Sequence, residues 1–299
     1  MSKIDLHLHS TFSDGALDIA NLLNEVKKKD INVVAIADHE TVIGLEGYKR
    51  IKDIKIIPAI EMNVDLSGAH ILGYGMDNFK KIEDEFDKIK KNNENIVYDI
   101  IKSLKNDNIK IDEDDVVKST LEYHRIKKLQ VESNSDIFKY NKNFIIVKTD
   151  IARTLMELGI TKSIDESYKR YLGPQGKYFI KTEKIKTRDA IELIDSCNGV
   201  TALAHPMTVN TKKNNLLNIC KMLKEYGLSG IEVNGNTRRY SVNQSKTYIA
   251  LARKLDLIET VGTDFHRNGQ QMGIEVSSKI VSNLEAKIKE LKLIKHQVI

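Results

Sequence analysis

Residues 1–15 read MSKIDLHLHSTFSDG. The run Ile4-Asp5-Leu6-His7-Leu8-His9 alternates in character. In a strand, successive side chains point to opposite faces, so His7 and His9 share one face while Leu6 and Leu8 share the other. Two imidazoles roughly 7 Å apart at the end of a strand can both reach one metal ion. Asp14 follows in the turn Ser13-Asp14-Gly15 and offers a carboxylate to the same cluster. A lone His-x-His pair is more often an ordinary surface pattern on an edge strand. This pair has companions further along the chain.

Outward from the opening strand, the chain alternates. Residues 17–29 place Leu17, Leu22, Leu23 and Val26 on one helical face. Residues 32–38 (NVVAIAD) are the continuous apolar run of a buried parallel strand, and His39 follows. Residues 44–52 read as a short helix, 56–65 as a strand carrying Glu61, and 69–76 as a strand that His70 begins. The alternation predicts a parallel sheet with helices outside. From about residue 80 the character changes. Residues 80–108 are charged and helical, and 112–118 form a short acidic helix. Residues 119–147 fit neither period and are expected to be irregular, with a hairpin around Ser133-Asn134-Ser135. Residues 150–159 and 164–172 are helical, and Gly173-Pro174-Gln175-Gly176 turns the chain. The first pattern then returns, with helices at 187–197, 212–226, 240–255 and 282–294. Its strands are 199–204, ending at His205-Pro206; 229–233, ending at Asn234-Gly235-Asn236; and 258–262, ending at Thr263-Asp264-Phe265-His266. The expected division is an α/β domain of residues 1–79 and 186–299, interrupted by a mainly helical insertion at 80–185.

The 299 residues suffice for one large α/β domain with an insertion. No run approaches the length of a membrane span, and the amino terminus goes straight into a strand, so a cytoplasmic protein is expected. Cys197 and Cys220 lack metal-type spacing and read as buried small hydrophobes. The formal net charge of +5 is a mild bias towards anionic substrates.

The ionisable residues gather at strand ends. His7 and His9 lie on the first strand and His39 closes the second. Glu61 is in the third, His70 begins the next, His205 ends a later one, and Asp264 with His266 ends the last. In parallel barrels and sheets the carboxyl ends of the strands open onto one face, where the site sits. Only His124 and His296 fall in irregular or helical polar context, and both read as surface residues. Each strand-end residue has an ordinary structural explanation: His70 a hydrogen-bonded core histidine, His39 a helix cap, Asp264 a turn former, Glu61 a paired carboxylate. Their joint placement is what argues for a site, because imidazoles and carboxylates crowded at one sheet edge are destabilising unless metal ions or protons use them. A nitrogen and oxygen donor set without thiolate suits zinc, manganese or iron. Nine candidate ligands are too many for one ion, so two or three are implied.

The chain resembles the polymerase and histidinol phosphatase (PHP) family of metal-dependent phosphoesterases. The matching pieces are Asp5-Leu6-His7-Leu8-His9-Ser10 with Ser13-Asp14-Gly15, Ala37-Asp38-His39, Pro58-Ala59-Ile60-Glu61, His70-Ile71-Leu72-Gly73-Tyr74, Leu203-Ala204-His205-Pro206 and Gly262-Thr263-Asp264-Phe265-His266. They come in the family's order. The resemblance implies an α/β fold, a distorted β/α barrel of the (β/α)7 type with fewer than eight strands, and a trinuclear metal centre. It assigns the ligands to His7, His9, Asp14, His39, Glu61, His70, His205, Asp264 and His266, with Glu61 bridging two ions. The insertion is similar to that of the subgroup that hydrolyses small nucleotide phosphates, including 3′,5′-nucleoside bisphosphates, and trims RNA from its 5′ end. Ile151-Ala152-Arg153-Thr154-Leu155 and Tyr168-Lys169-Arg170-Tyr171-Leu172-Gly173 carry that match, and the insertion is expected to cap the substrate. Where the subgroup usually has Arg-Pro-His, this chain has Lys148-Thr149-Asp150. Lys148 could meet a phosphate as a point charge without bidentate geometry, and Asp150 could cap the helix.

The expected reaction is hydrolysis of a phosphomonoester by water activated between two ions, with Glu61, His205, Asp264 and His266 at the reacting centre. Arg170 and Lys148 are expected to clamp substrate phosphates; a solvated helix residue is the equal alternative for Arg170. His205 or His266 could protonate the leaving oxygen. The runner-up is 5′-3′ exonuclease action on RNA or single-stranded DNA, for which His124-Arg125-Ile126-Lys127-Lys128 and the stretch Tyr140–Phe144 could line a groove. A non-catalytic PHP module and a metal-dependent amidohydrolase are the other classes. The expected partners are a small phosphorylated substrate, a nucleotide in kind, or a short RNA or DNA, with no membrane and no obligate protein partner.

Overall fold

The computed structural model describes residues 1–45, 53–129, 146–212, 215–234 and 240–296, the side chains of 124–129 and 294–296 excepted. They divide into two compact units, Met1–Phe86 with Lys184–Ile299, and Asp87–Glu183.

The first unit is an α/β barrel. Its strands are β1 (Ser2–Leu8), β2 (Val33–Ile36), β3 (Lys55–Asn63), β4 (His70–Tyr74), β5 (Val200–Leu203), β6 (Gly230–Asn234) and β7 (Ile258–Val261). They are neighbours in chain order, and an eighth strand of three residues, β8 (Ile274–Val276), pairs with β1 on the side away from β2. The free edge of β1 is thus shared. Ser2, Lys3 and Ile4 pair antiparallel with β8. Further along, the His9 N–H donates to the Phe265 carbonyl at 2.9 Å and the Phe265 N–H to the His7 carbonyl at 3.3 Å. These bonds close the barrel where the two histidines sit.

The wholly parallel sheet read from the alternation is corrected at β4, which runs antiparallel to both β3 and β5. No helix separates β3 from β4, so the chain turns back directly. The hairpin pairs Asn63 with His70 and Glu61 with Leu72, which puts the Glu61 and His70 side chains on one face. The helices of this unit are α1 (Ile19–Lys28), α6 (Thr187–Ser196), α7 (Leu216–Glu225), α8 (Val242–Lys254) and α9 (Lys279–His296). α1 shows how they pack: Asp18 caps its first turn by accepting from the Asn21 N–H, and Ile19, Leu22, Leu23 and Val26 are its buried stripe. Cys197 and Cys220 are buried free thiols, as their lack of metal-type spacing suggested.

α2 (Phe79–Asn106) begins in the first unit, with Ile82 and Phe86 buried, and continues into the second. The second unit adds α3 (Glu113–Leu129), α4 (Lys148–Glu157) and α5 (Ile164–Ser167). Its core joins Ile100 and Leu104 of α2, Val116 of α3, Ile151 and Leu155 of α4, and Leu172. Residues 119–129, expected to be irregular, are helical: Thr120 is fully buried, and its hydroxyl donates to the Val116 carbonyl. Three packed helices override the weak periodicity of that segment. The hairpin around residues 133–135, the Tyr140–Phe144 segment, most of the 44–52 helix and the turn at residues 235–236 lie outside the described residues. Among the described residues, no helix is long and apolar enough to cross a membrane.

Candidate metal centre

The side chains that converge come from every part of the barrel. β1 supplies His7, and His9 follows it; both are fully buried. β3 supplies Glu61, also fully buried, and β4 supplies His70. His39, His205, Asp264 and His266 lie just beyond β2, β5 and β7, where the chain leaves the sheet. Two of these exits use left-handed backbone, with φ of 23° at His205 and 53° at Asp264. Such geometry is uncommon for residues with a Cβ and concentrates at functional sites.

Glu61 is the centre of the cluster. Its Oε2 lies 3.0 Å from His7 Nε2, 3.1 Å from His9 Nε2 and 3.4 Å from His39 Nε2. Its Oε1 lies 2.8 Å from His70 Nδ1 and 2.8 Å from His205 Nε2. The two oxygens therefore serve different sets of imidazoles. Asp264 Oδ1 joins the first set, 3.5 Å from His7 and 3.2 Å from His9. Asp14 lies at the exposed rim, with Oδ2 3.2 Å from His266 Nε2 and Oδ1 3.6 Å from His9 Nδ1.

The donors fit metal ions. Three groups have ligand atoms all within 4.8 Å of one another: His9, Asp14, His39 and His266; His7, His9, Glu61 and Asp264; and His39, Glu61 and His70. The groups overlap through Glu61, His9 and His39. Both ring nitrogens of His9 and the Nδ1 of His39 are buried without a well-directed hydrogen bond, although His9 Nε2 lies close to Glu61 and Asp264. A buried polar atom is not normally left so, and a cation would satisfy the nitrogens that face the carboxylates. All nine residues singled out in the sequence as ligands lie in this cluster.

Electrostatics agree with a site built for positive charge. Burial opposes the ionised form of Glu61, yet the charges of His7 and His39 hold its carboxyl well below the usual range. Burial likewise opposes the charge on His7, and the Glu61 and Glu232 carboxylates outweigh it and raise its pKa well above the usual value. His9 is pushed up to about 9 against its burial by Asp264 and Glu61. His39 is pulled down to about 4, chiefly by burial.

Three buried carboxylates support the cluster. Asp5 accepts from the Thr263 N–H at 2.9 Å, the Thr263 hydroxyl at 2.6 Å and the Gly273 N–H at 2.8 Å, which ties β1 to the segment bearing Asp264. Asp38 accepts from the Ser10 N–H and from the hydroxyls of Ser10 and Ser13, holding the loop that carries Asp14. Glu232 stands behind His7, 3.1 Å from its Nδ1. The sequence reading gave these three no role. The available signal was a carboxylate inside an apolar strand, as in Ile4-Asp5-Leu6 and Ile231-Glu232-Val233.

The two expected phosphate clamps belong to the second unit. Arg170 is half-exposed, and its guanidinium donates to Glu166 at 2.9 Å, to the Ile160 carbonyl at 3.2 Å and to the Tyr171 hydroxyl at 2.7 Å. Lys148 donates to the Ile180 carbonyl and lies 5.0 Å from the centre of the Phe179 ring. Asp150 caps α4 by accepting from the Val147 N–H at 2.9 Å and also pairs with Arg153.

The chain is 26% identical to a 5′-3′ exoribonuclease of Haemophilus influenzae over 272 residues, covering 88% of this chain and 90% of the relative. It is 22% identical to a 3′,5′-nucleoside bisphosphate phosphatase of Chromobacterium violaceum over 282 residues, covering 90% and 89%. A solved structure from Bifidobacterium adolescentis, described as a candidate metal-dependent phosphoesterase, superposes with a TM-score of 0.67 at 22% identity and covers 95% of this chain and 96% of that one. The PHP domain model matches residues 5–185, more than half of the sequence. The chain belongs to the PHP domain family.

Proposed function

We propose that this protein is a metal-dependent phosphoesterase that hydrolyses a phosphomonoester of a small nucleotide, such as a 3′,5′-nucleoside bisphosphate. The observation that carries the reading is the division of Glu61, whose two oxygens face two different sets of imidazoles and so suit a bridge between two ions. Two or three ions of manganese, iron or zinc would be held by His7, His9, Asp14, His39, Glu61, His70, His205, Asp264 and His266. When bound, such ions lower the pKa of water and neutralise charge on phosphoryl oxygens.

The chain's own residues divide the work by depth. His7, His9 and Glu61 are inaccessible and fix the floor of the site. His39, His70 and His266 are each about a fifth to a quarter exposed, and they line the mouth with the more open Asp14, where a phosphoryl group would enter. His205 and His266 would act through the ions they hold: their second ring nitrogens face Thr208 Oγ1 and the Asp264 carbonyl, so the proton for the leaving oxygen would come from water. The Asp264 main-chain carbonyl fixes the His266 ring through its Nδ1 at 2.8 Å. Arg170 and Lys148 of the second unit are kept as candidate phosphate contacts.

A second reading is 5′-3′ removal of nucleotides from RNA, which the name of the Haemophilus relative favours. One screen separates the two. Manganese-loaded protein is assayed with a nucleoside 3′,5′-bisphosphate, a nucleoside monophosphate, histidinol phosphate and a short 5′-phosphorylated RNA. Phosphate release from the bisphosphate at the highest kcat/KM supports the first reading, and stepwise shortening of the RNA the second. Asp264→Ala and His9→Ala are expected to abolish turnover in a folded protein; near-normal activity in either refutes both readings.

A further inference from the structure

Both ring nitrogens of His7 are committed. Nε2 faces Glu61 and Asp264, while Nδ1 faces Glu232 Oε1 at 3.1 Å. Glu232 is 1% exposed and belongs to none of the groups able to hold a metal ion among the described residues. Its other oxygen, Oε2, accepts from the His205 main-chain N–H at 2.8 Å and from the Tyr240 hydroxyl at 2.9 Å. One carboxylate on β6 therefore stands behind two ligand candidates from two other strands.

The backbone around this contact is shaped for it. β1 has one residue more than β2 between Asp5 and Leu8, the interval that contains His7. β6 has one residue more than β7 between Glu232 and Asn234. Bulges of this kind re-aim side chains. Gly262 leaves the space between them open: a Cβ there would lie 2.2 Å from His7 Cβ and 3.0 Å from Glu232 Oε1. The left-handed backbone of His205 is held by the N–H that Glu232 accepts.

We propose that Glu232 is a positioning residue of the metal centre: it fixes which nitrogen of His7 faces the ions and anchors the strained turn that presents His205. The proposal rests on the metal-centre reading above. Oε1 of Glu232 faces His7 Nδ1 alone, and an ionised carboxylate can only accept, so that nitrogen keeps its proton. Nε2 is then left with its lone pair towards Glu61 and Asp264. In metal sites, a partner on the second ring nitrogen sets tautomer and orientation, and its removal lowers metal affinity by about 10–100-fold. Tyr240 restrains the same carboxylate from the far side.

The test uses the full chain loaded with Zn2+, which is diamagnetic. In wild-type protein labelled with 15N, His7 is expected to carry its proton on Nδ1 with Nε2 bound to zinc. Glu232→Gln keeps the shape but offers one acceptor oxygen where Glu232 offers two. It is expected to keep the far-UV circular dichroism, no longer hold His7 to coordination through Nε2 alone, and weaken Zn2+ binding by about 10–100-fold. Tyr240→Phe should change affinity less than Glu232→Gln. A wild-type His7 lacking the Nδ1 proton overturns the proposal without any variant, and this measurement decides if Glu232→Gln does not fold. Unchanged Zn2+ affinity with an unchanged His7 tautomer in Glu232→Gln also overturns it. Wild-type protein that binds no zinc refutes the metal-centre reading itself, whereas zinc binding and turnover indifferent to Glu232 refute the positioning alone.

Discussion

Gly262→Ala changes no ligand and no charge, yet it should disable the site. The added Cβ would lie 2.2 Å from His7 Cβ and 2.7 Å from the His7 main-chain nitrogen. Carbon atoms prefer a separation of about 3.5–4.0 Å, so β1 and the end of β7 must part by roughly 1 Å or more. The obstacle is backbone and a Cβ, which no rotamer change can move aside. Overpacking of this kind costs about 1–3 kcal/mol, and each kcal/mol lowers Tm by about 2–4 °C in a unit of this size. The functional loss should be larger, because the displacement falls on His7 and Glu232, and a 1 Å error in a reacting constellation can cost about 100-fold in rate. Thermal melting, Zn2+ titration and kcat/KM on a phosphomonoester measure the three effects in one preparation. Gly159→Ala is the control: its φ is 70°, but a Cβ there would meet nothing within 4 Å. It should cost stability through backbone strain alone, with metal affinity unchanged. If Gly262→Ala melts, binds zinc and turns over like the wild type, the close approach of β7 to His7 is not a feature of the native protein.

The other predictions concern protons and the rim. In chelated protein, the raised pKa of His9, about 9, contributes stability that is complete below about pH 6.5 and lost as the pH rises towards 9. The lowered pKa of His39, about 4, acts in the opposite sense: stability falls as the pH drops from about 6.5 to 4, because the unfolded state then binds the extra proton. Metal-free Tm should therefore peak near neutrality, and a monotonic profile from pH 4 to 9 would contradict this balance. Loading the ions must expel one proton each from His7, at Nε2, and His9, so Zn2+ affinity should rise between pH 6 and 8, with proton release visible as buffer-dependent binding heat. Asp38→Ala strands the buried Ser10 N–H and frees the Asp14 loop, at a cost of about 1–3 kcal/mol. It should remove the ion nearest Asp14 before the others; unchanged zinc stoichiometry and Tm would count against it.

What could be read in the sequence was set by the range of the interactions. The His-x-His pair, the strand-end histidines and the apolar runs of β2 and β5 are local patterns, so the α/β alternation and the candidate ligands were visible residue by residue, while the barrel was implied only by the family resemblance. The antiparallel course of β4 was not, because strand direction depends on a six-residue connection with no helical period to mark it. β8 is three residues long and escapes any periodicity test. The helix from residue 119 to 129 depends on packing of α3 against α4, which outweighs its mixed composition. Asp5, Asp38 and Glu232 were missed for a related reason: their donors lie at remote positions, such as Thr263 for Asp5 and Ser10 for Asp38. A buried carboxylate shows its purpose only when its partners are in place.

The most direct test is anomalous X-ray scattering from crystals of the manganese- or zinc-loaded protein, measured on both sides of the metal absorption edge. Two or three ions are expected in the pocket, with the two oxygens of Glu61 on different ions and His7 Nε2 among the ligands. An empty pocket, or a single ion that leaves Glu61 paired only with imidazoles, would contradict the account.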